Sequence, residues 1–411
     1  MSETKPATRT TSPTEKSGVL ICGAGIAGIV LAHRLAKSGF RPTVLEQSAR
    51  LRSAGNAVDL RGPAVDIVEG MGALPELRSR ATQLSEFYRI DPAGERVLTM
   101  APEVIGGDVE ILRTELNNVL FDVTQDGVEY RFGDSIRTIR DQGDQVEVTF
   151  DSGVHGEFSL VVGSDGLHSR TRALAFGPER DYVRHLGCYQ AHFTTQNLLG
   201  LHHAGLLMNR PGRTVGCYTV HHDREIVVGL FFDSPPLEID RADVVTQKRL
   251  IAERFSDMGW RTEELLSAMH ECGDFYFDSI AQVSMPELHR GRVALVGDAG
   301  YGPSLLSGMG ATLAIVGAAI LADELTDCPA DHARALDRYQ ARVADMIKSS
   351  HELARASRGW FIQPDGADGH PPESPLAADV ESDALRVKTL AAVGTAFSRP
   401  QEFADRIRPT R

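Results

Sequence analysis

Three stretches of this chain place glycines or a carboxylate at the end of an apolar run, a pairing that suits a phosphate-bearing ligand. The first is Gly23-Ala-Gly25-Ile-Ala-Gly28, between the apolar run Val19–Cys22 and a helical pattern that reaches Ser38. In a strand–turn–helix setting, the first glycine makes the turn and the second admits a pyrophosphate close to the backbone. The third lets helix and strand pack closely, and the helix N-terminal N–H groups hold the anion. Glu46 ends the next apolar run, where an acid can accept both hydroxyls of a ribose. The second stretch is Gly163-Ser-Asp165-Gly166-Leu-His168-Ser-Arg, an Asp-Gly turn of a kind that ordinary loops share. The third runs from Val293 to Ala314. It puts Asp298 on the end of a buried strand, crosses a glycine-rich loop, and opens a helix at Gly308-Met309-Gly310 whose dipole can face a developing negative charge.

These residues need a scaffold, and the hydrophobic periodicity supplies one. Gly18–Cys22, a helix to Ser38 and Arg41–Glu46 make one βαβ unit. The segments 128–137, 145–150 and 156–158 alternate like antiparallel strands before 159–165 returns to a buried run. A second strand-rich region covers 187–194, 205–209, 214–220 and 225–232, followed by an amphipathic helix over 241–255. Residues 311–358 read as wholly helical, 364–375 as a polar proline-rich loop, and 385–397 as a last helix. The expected class is α/β. A Rossmann-like nucleotide-binding domain comes from 18–182 and 275–350, an antiparallel-sheet domain (183–274) is inserted into it, and 351–411 forms a C-terminal helical segment.

The remaining numbers narrow the partners. A net charge of −13 and a pI near 5.6 argue against nucleic acid or an anionic membrane. Five scattered cysteines without a C-x-x-C argue against a disulfide framework or a zinc site, so no metal is expected. The pairs His202-His203 and His221-His222 would point to opposite faces of a strand, which suits packing or surface better than metal ligation. Residues 1–17 read as a disordered polar tail rather than a signal peptide, and the longest apolar runs are too short to span a bilayer. A cytoplasmic protein, monomer or homodimer, is expected.

The three motifs in this order resemble the single-component, para-hydroxybenzoate hydroxylase-like flavin monooxygenases, and within them the tetracycline-modifying and antibiotic-tailoring branch, over about residues 18–350. The resemblance implies that Gly23, Gly25 and Gly28 cradle the pyrophosphate of a non-covalently held FAD and that Glu46 takes its adenosine ribose. It places Arg52, Asp59 and Arg113 on the cofactor and links Asp165 to both FAD and the nicotinamide cofactor. Asp298 would bond the ribityl chain, with Gly308, Met309 and Gly310 beside the flavin's pyrimidine edge. NADPH or NADH would reduce the flavin, and O2 would deliver an oxygen atom to an aromatic or polycyclic substrate. This chain departs from the family at Tyr301, Leu305, Met309 and Thr312, where His, Pro, Gln and Asn are usual.

No catalytic side chain is assigned; Tyr301 and His168 are candidates that packing would equally explain. Gln190 stands where antibiotic-modifying relatives carry a substrate-facing polar residue, although a sheet glutamine can simply face solvent. Phe193, Leu207, Met208, Tyr218, Phe231 and Phe232 suit either a core or a polycyclic ligand. Two other readings stay open from sequence: a flavin reductase on the same scaffold, and a non-catalytic binder of such a compound. A halogenase is disfavoured, because the only tryptophans are Trp260 and Trp360.

Overall fold

The run Gly18–Cys22 forms an inner strand of a six-stranded sheet in the computed structural model, which describes residues 18–51, 55–100, 106–362 and 375–398. Its parallel neighbours are Arg41–Glu46 and Leu160–Gly163; Glu129–Phe132 lies beyond the first and Val293–Leu295 beyond the second. A short antiparallel strand, His289–Arg290, ends the sheet. Alternate residues of the inner strand serve different cores, as a strand covered on both faces must. Val19 and Ile21 pack with the helices Ile26–Lys37 and Gly310–Asp327. Leu20 and Cys22 pack with Val146, Val148 and Phe150 of a three-stranded antiparallel sheet built from 136–141, 146–150 and 155–158.

The stretch 128–137, expected as one antiparallel strand, is divided. Gly133 turns the chain at φ +75°, so Glu129–Phe132 joins the parallel sheet while Ile136–Asp141 joins the three-stranded one. The helical region 311–358 is two helices, Gly310–Asp327 and His332–Ala356, the second capped by Asp331 accepting from Arg334 N. Likewise the helix expected from 241 begins at Val244, where Asp243 caps it by accepting from Thr246 N at 3.0 Å. Residues 1–17, Arg52 and all but the last residue of the expected 364–375 loop lie outside the described residues.

The second large sheet has seven strands. Its order is Tyr276–Val283, Val183–Gln196, Glu225–Asp233, Arg213–Val220, Ala204–Arg210, Glu86–Ile90 and Arg96–Met100. Strands from before and after the expected 183–274 insertion therefore extend it. One face is closed by the helices Val244–Phe255 and Thr262–Glu271, and Phe193, Met208 and Phe232 belong to that core. Because side chains alternate across a strand, Gln190, His192, Leu207, Tyr218 and Phe231 emerge on the other face. A two-stranded ribbon, Ala57–Leu60 with Val109–Leu112, touches this sheet through Tyr218 and the helix Gly310–Asp327 through Thr312.

Candidate functional site

The glycines of the first motif separate into structural ones and an open one. Gly23 holds φ +109°, and a Cβ there would meet Ser164 O at 2.6 Å. A Cβ at Gly28 would lie 2.0 Å from Gly23 O, so these two permit the close packing of turn, helix and neighbouring strand. At Gly25 the nearest atom to such a Cβ is Ser164 O, 4.0 Å away, and the helix that starts there has no side-chain cap. The backbone is thus bare where a phosphate would approach. Glu46 braces this loop: its carboxylate accepts from Ala24 N at 3.0 Å and from Ser48 N at 2.9 Å.

The second motif ties neighbouring strand ends together. Ser164 Oγ donates to Cys22 O and Gly23 O, both at 2.9 Å. Asp165 turns inward on its own loop, accepting from Ser169 Oγ at 2.5 Å and from Thr171 N and Oγ1 at 2.9 and 3.0 Å. His168 is held between carboxylates, 2.9 Å from Glu179 and 2.8 Å from Asp278. Burial disfavours its charged form, but the bonds to Asp278 and Glu179 outweigh that and raise its pKa. This ring joins the parallel-sheet loop to the edge strand of the seven-stranded sheet, a positioning task.

The third motif ends the strand Val293–Leu295. Gly297 takes φ +64°, and Asp298 begins a short helix, half-buried, with no side-chain hydrogen bond among the described residues. Removal from water pushes its carboxyl above the ordinary range, with the Arg113 charge acting the other way. Ser304 adopts φ +81°, ψ 159°, a conformation glycine would favour, and such strain costs roughly 1–3 kcal/mol. The long helix starting at Gly310 again lacks a side-chain cap, and a Cβ at Gly310 would touch nothing within 4 Å. Met309 contributes only backbone here, since its side chain is in the core. Asp59 sits beside this start: a Cβ on Gly308 would be 3.9 Å from Asp59 Oδ2. Thr312 links the two segments, donating to Asp59 O at 3.1 Å and accepting from Arg61 N at 3.0 Å.

Tyr301 is wholly buried. Its hydroxyl lies 3.3 Å from Tyr339 Oη and where a Cβ on Gly317 would fall, so it packs two helices rather than facing a ligand. Arg113 starts the helix Arg113–Asp122, is exposed, and its aliphatic stem packs against Gly55.

On the other face of the seven-stranded sheet, buried aromatic and aliphatic side chains lie over glycines. The Phe87 ring covers Gly205, Leu207 covers Gly216, and Phe231 covers Gly229, producing a low, broad floor. Gln190 is buried here rather than solvated, its Oε1 2.9 Å from His192 Nε2. Sequence reasoning missed His192 and Asn56, whose side chains meet across 136 positions at 3.1 Å. It also missed the wall made by Phe361, whose ring packs on Phe231 and whose carbonyl accepts from Asn209 Nδ2 at 3.1 Å and from Thr214 Oγ1. No local signal marks such contacts. Among the described residues there is no cluster fit for a metal and no helix long and apolar enough to cross a membrane.

Two uncapped helix starts, a glycine turn open to an anion, an acid at the end of Arg41–Glu46 and an acid without a side-chain hydrogen bond just past Val293–Leu295 fit an extended dinucleotide. Residues 16–353 match the family described as the FAD binding domain. A protein of Mycobacterium tuberculosis, itself uncharacterised, is 38% identical over 82% of this chain and 92% of its own. A flavin-dependent monooxygenase of Legionella longbeachae is 36% identical over 82% of this chain and 87% of its own. The crystal structure of tetracycline destructase Tet(55) matches with a TM-score of 0.82 at 33% identity, covering 95% of this chain and all of that one. The chain therefore belongs to the FAD binding domain family and is an FAD-dependent monooxygenase.

Proposed function

We propose that this enzyme uses NAD(P)H and O2 to hydroxylate a polycyclic phenolic or enolic compound of the antibiotic type, the substrate lying between the flavin and the face of the seven-stranded sheet away from the helices Val244–Phe255 and Thr262–Glu271. Gly23, Gly25, Gly28, Glu46, Asp59, Arg113, Asp165 and Asp298, with backbone N–H groups at Gly308–Gly310, would hold FAD without a covalent link. Arg52 belongs to the same set by resemblance. The division into a discontinuous cofactor domain and an inserted substrate domain, and a cytoplasmic setting, go with this reading.

Bound there, FAD supplies hydride acceptance from NAD(P)H and the activation of O2. The chain's own contribution is positional. Free N–H groups at the Gly310 helix start oppose negative charge gathered beside them. The floor of Leu207, Phe231 and Phe87 excludes water and offers a flat apolar surface to fused rings. Neither Tyr301 nor His168 is placed to act as a base, since the first is in the core and the second is bonded at both ring nitrogens.

The observation that carries this reading is the two-sidedness of the sheet: one face is sealed by helices, while the other is glycine-backed and bonded to the Asn56–Ala57 segment that leads to Asp59. Arg210 and Arg213, the arginines nearest a benzoate-like carboxylate from sequence, are both engaged by Asp257 at the hairpin end. NAD(P)H oxidation should be slow alone and rise with multi-ring phenols or enols, with label from isotopic dioxygen found in the product by mass spectrometry. Stimulation by simple benzoates alone would overturn the substrate class.

A further inference from the structure

The face read as the substrate floor carries a buried imidazole whose hydrogen bonding the protein leaves incomplete. His192 is buried, and its Nε2 lies 2.9 Å from Gln190 Oε1 and 3.1 Å from Asn56 Nδ2. Its Nδ1 and the Asn56 Oδ1 are both buried with no hydrogen-bond partner among the described residues. A neutral imidazole has one N–H and one bare nitrogen. Nε2 can donate to Gln190 or accept from Asn56, but not both. With the proton on Nε2, Nδ1 is an acceptor lacking a donor; with the proton on Nδ1, it is a donor lacking an acceptor. Either tautomer leaves Nδ1 open, and buried polar atoms of this kind are uncommon without a partner.

We propose that His192 Nδ1, held in place by Gln190 and Asn56, is the point that recognises a hydroxyl on the substrate's ring system. This rests on the reading of the sheet face as the substrate floor. A hydroxyl fits because it both donates and accepts, and so satisfies Nδ1 in either tautomer. A carboxylate could only accept, and burial keeps the ring neutral by pushing its pKa down to about 3. Arg89 is on the same face but four strands away, about 19 Å at the usual strand spacing, so it does not serve the same substituent. Asn56 stands one residue before the strand that carries Asp59, and Ala57 N donates to Tyr218 Oη at 2.7 Å. The hydroxyl is thereby fixed relative to the cofactor side. The ring edge-on to Phe231, centroids 5.2 Å apart, keeps the imidazole upright on the floor.

The test uses the FAD-loaded enzyme, titrated with a hydroxyanthraquinone and with the parent quinone lacking the hydroxyl, read as perturbation of flavin absorbance. Wild type should prefer the hydroxylated compound by about tenfold or more, the weight of one hydrogen bond to a buried group. An asparagine side chain puts a polar atom near the Nδ1 position and a glutamine near Nε2. His192→Asn should therefore keep the preference within about threefold, while His192→Gln and His192→Phe lose it. The reverse pattern, or equal preference in all variants, overturns the assignment and leaves a ring that only orders its neighbours. In wild type labelled with nitrogen-15 histidine, ligand should move the His192 Nδ1 resonance and leave Nε2 nearly unchanged; an unmoved Nδ1 with ligand bound also overturns it. Binding without preference defeats the His192 assignment alone, whereas no binding by any multi-ring compound defeats the substrate reading beneath it.

Discussion

Gly25→Ala should separate folding from cofactor binding. In the protein alone, an added methyl meets nothing closer than 4.0 Å, and the residue's φ of −85° is one that alanine adopts freely. Loss of unfolded-state freedom favours alanine by about 0.4–1 kcal/mol. The N-cap preference for glycine over alanine opposes it by a similar amount. The two nearly cancel, so apo-protein stability should stay within about 0.5 kcal/mol of wild type. The same methyl stands where the pyrophosphate must approach. Displacing even one charge-assisted bond costs about 1.5–3 kcal/mol, or about ten- to a hundredfold in FAD affinity. Gly28→Ala is the contrast: its methyl would fall 2.0 Å from Gly23 O and 2.6 Å from Ser164 Oγ. Relief must separate helix from turn, costing about 1–3 kcal/mol in overpacking and lowering stability and affinity together. Urea unfolding of the apo-proteins and quenching of FAD fluorescence measure the two quantities. Unchanged FAD affinity in Gly25→Ala would refute the reasoning, as would equal destabilisation by both variants.

Asp298→Asn should weaken FAD binding by about ten- to a hundredfold with little loss of apo-protein stability, since among the described residues none is hydrogen-bonded to that carboxylate; unaltered affinity and turnover would remove it from the site. His168 has its folded-state pKa raised above the ordinary 6.5, so its stabilisation is complete below that value and is lost as pH rises through the folded value. The stability gap between wild type and His168→Gln, from urea unfolding, should accordingly narrow as pH is raised past neutrality; a gap that widens contradicts the clamp. Glu110 is pushed up to about 7 by burial and by Asp59 opposite it, so stability should fall as pH rises from 4.5 to about 7. Glu110→Gln, which can still accept from Thr82 Oγ1, should flatten that fall, and an unchanged slope would place the titration elsewhere.

The cofactor half was legible because its signals are local. The glycine spacing, the apolar run before it and Glu46 all fall within one βαβ unit, and the structure places them as read. Glu129–Phe132 misled because an edge strand of a parallel sheet alternates in burial as a hairpin strand does. The ribbon Ala57–Leu60 with Val109–Leu112 went unread because its two strands are distant in sequence, and the place of Glu86–Ile90 in the larger sheet because its partner Ala204–Arg210 is. Phe193, Leu207, Met208, Tyr218, Phe231 and Phe232 suited either a core or a ligand from sequence, and only the strand register sends Phe193, Met208 and Phe232 to the helix-covered core. Gln190 was found through resemblance; His192, two residues on, needed the three-dimensional contact with Asn56 to be noticed.

The strand order of the parallel sheet also sets a timetable for synthesis. Leu160–Gly163 leaves the ribosome roughly 130 residues before Val293–Leu295, the neighbour that covers its outer edge. At about 5–20 residues per second, that edge waits about 7–26 s. During that interval a fully apolar strand offers unpaired backbone groups to any other chain nearby. Five of the seven strands of the other large sheet are translated in the gap, and its edge strand Tyr276–Val283 arrives last. The nascent chain is therefore most exposed to mispairing just before residue 293, and yield of active enzyme should depend on temperature and chaperone supply at that stage more than on the stability of the finished fold.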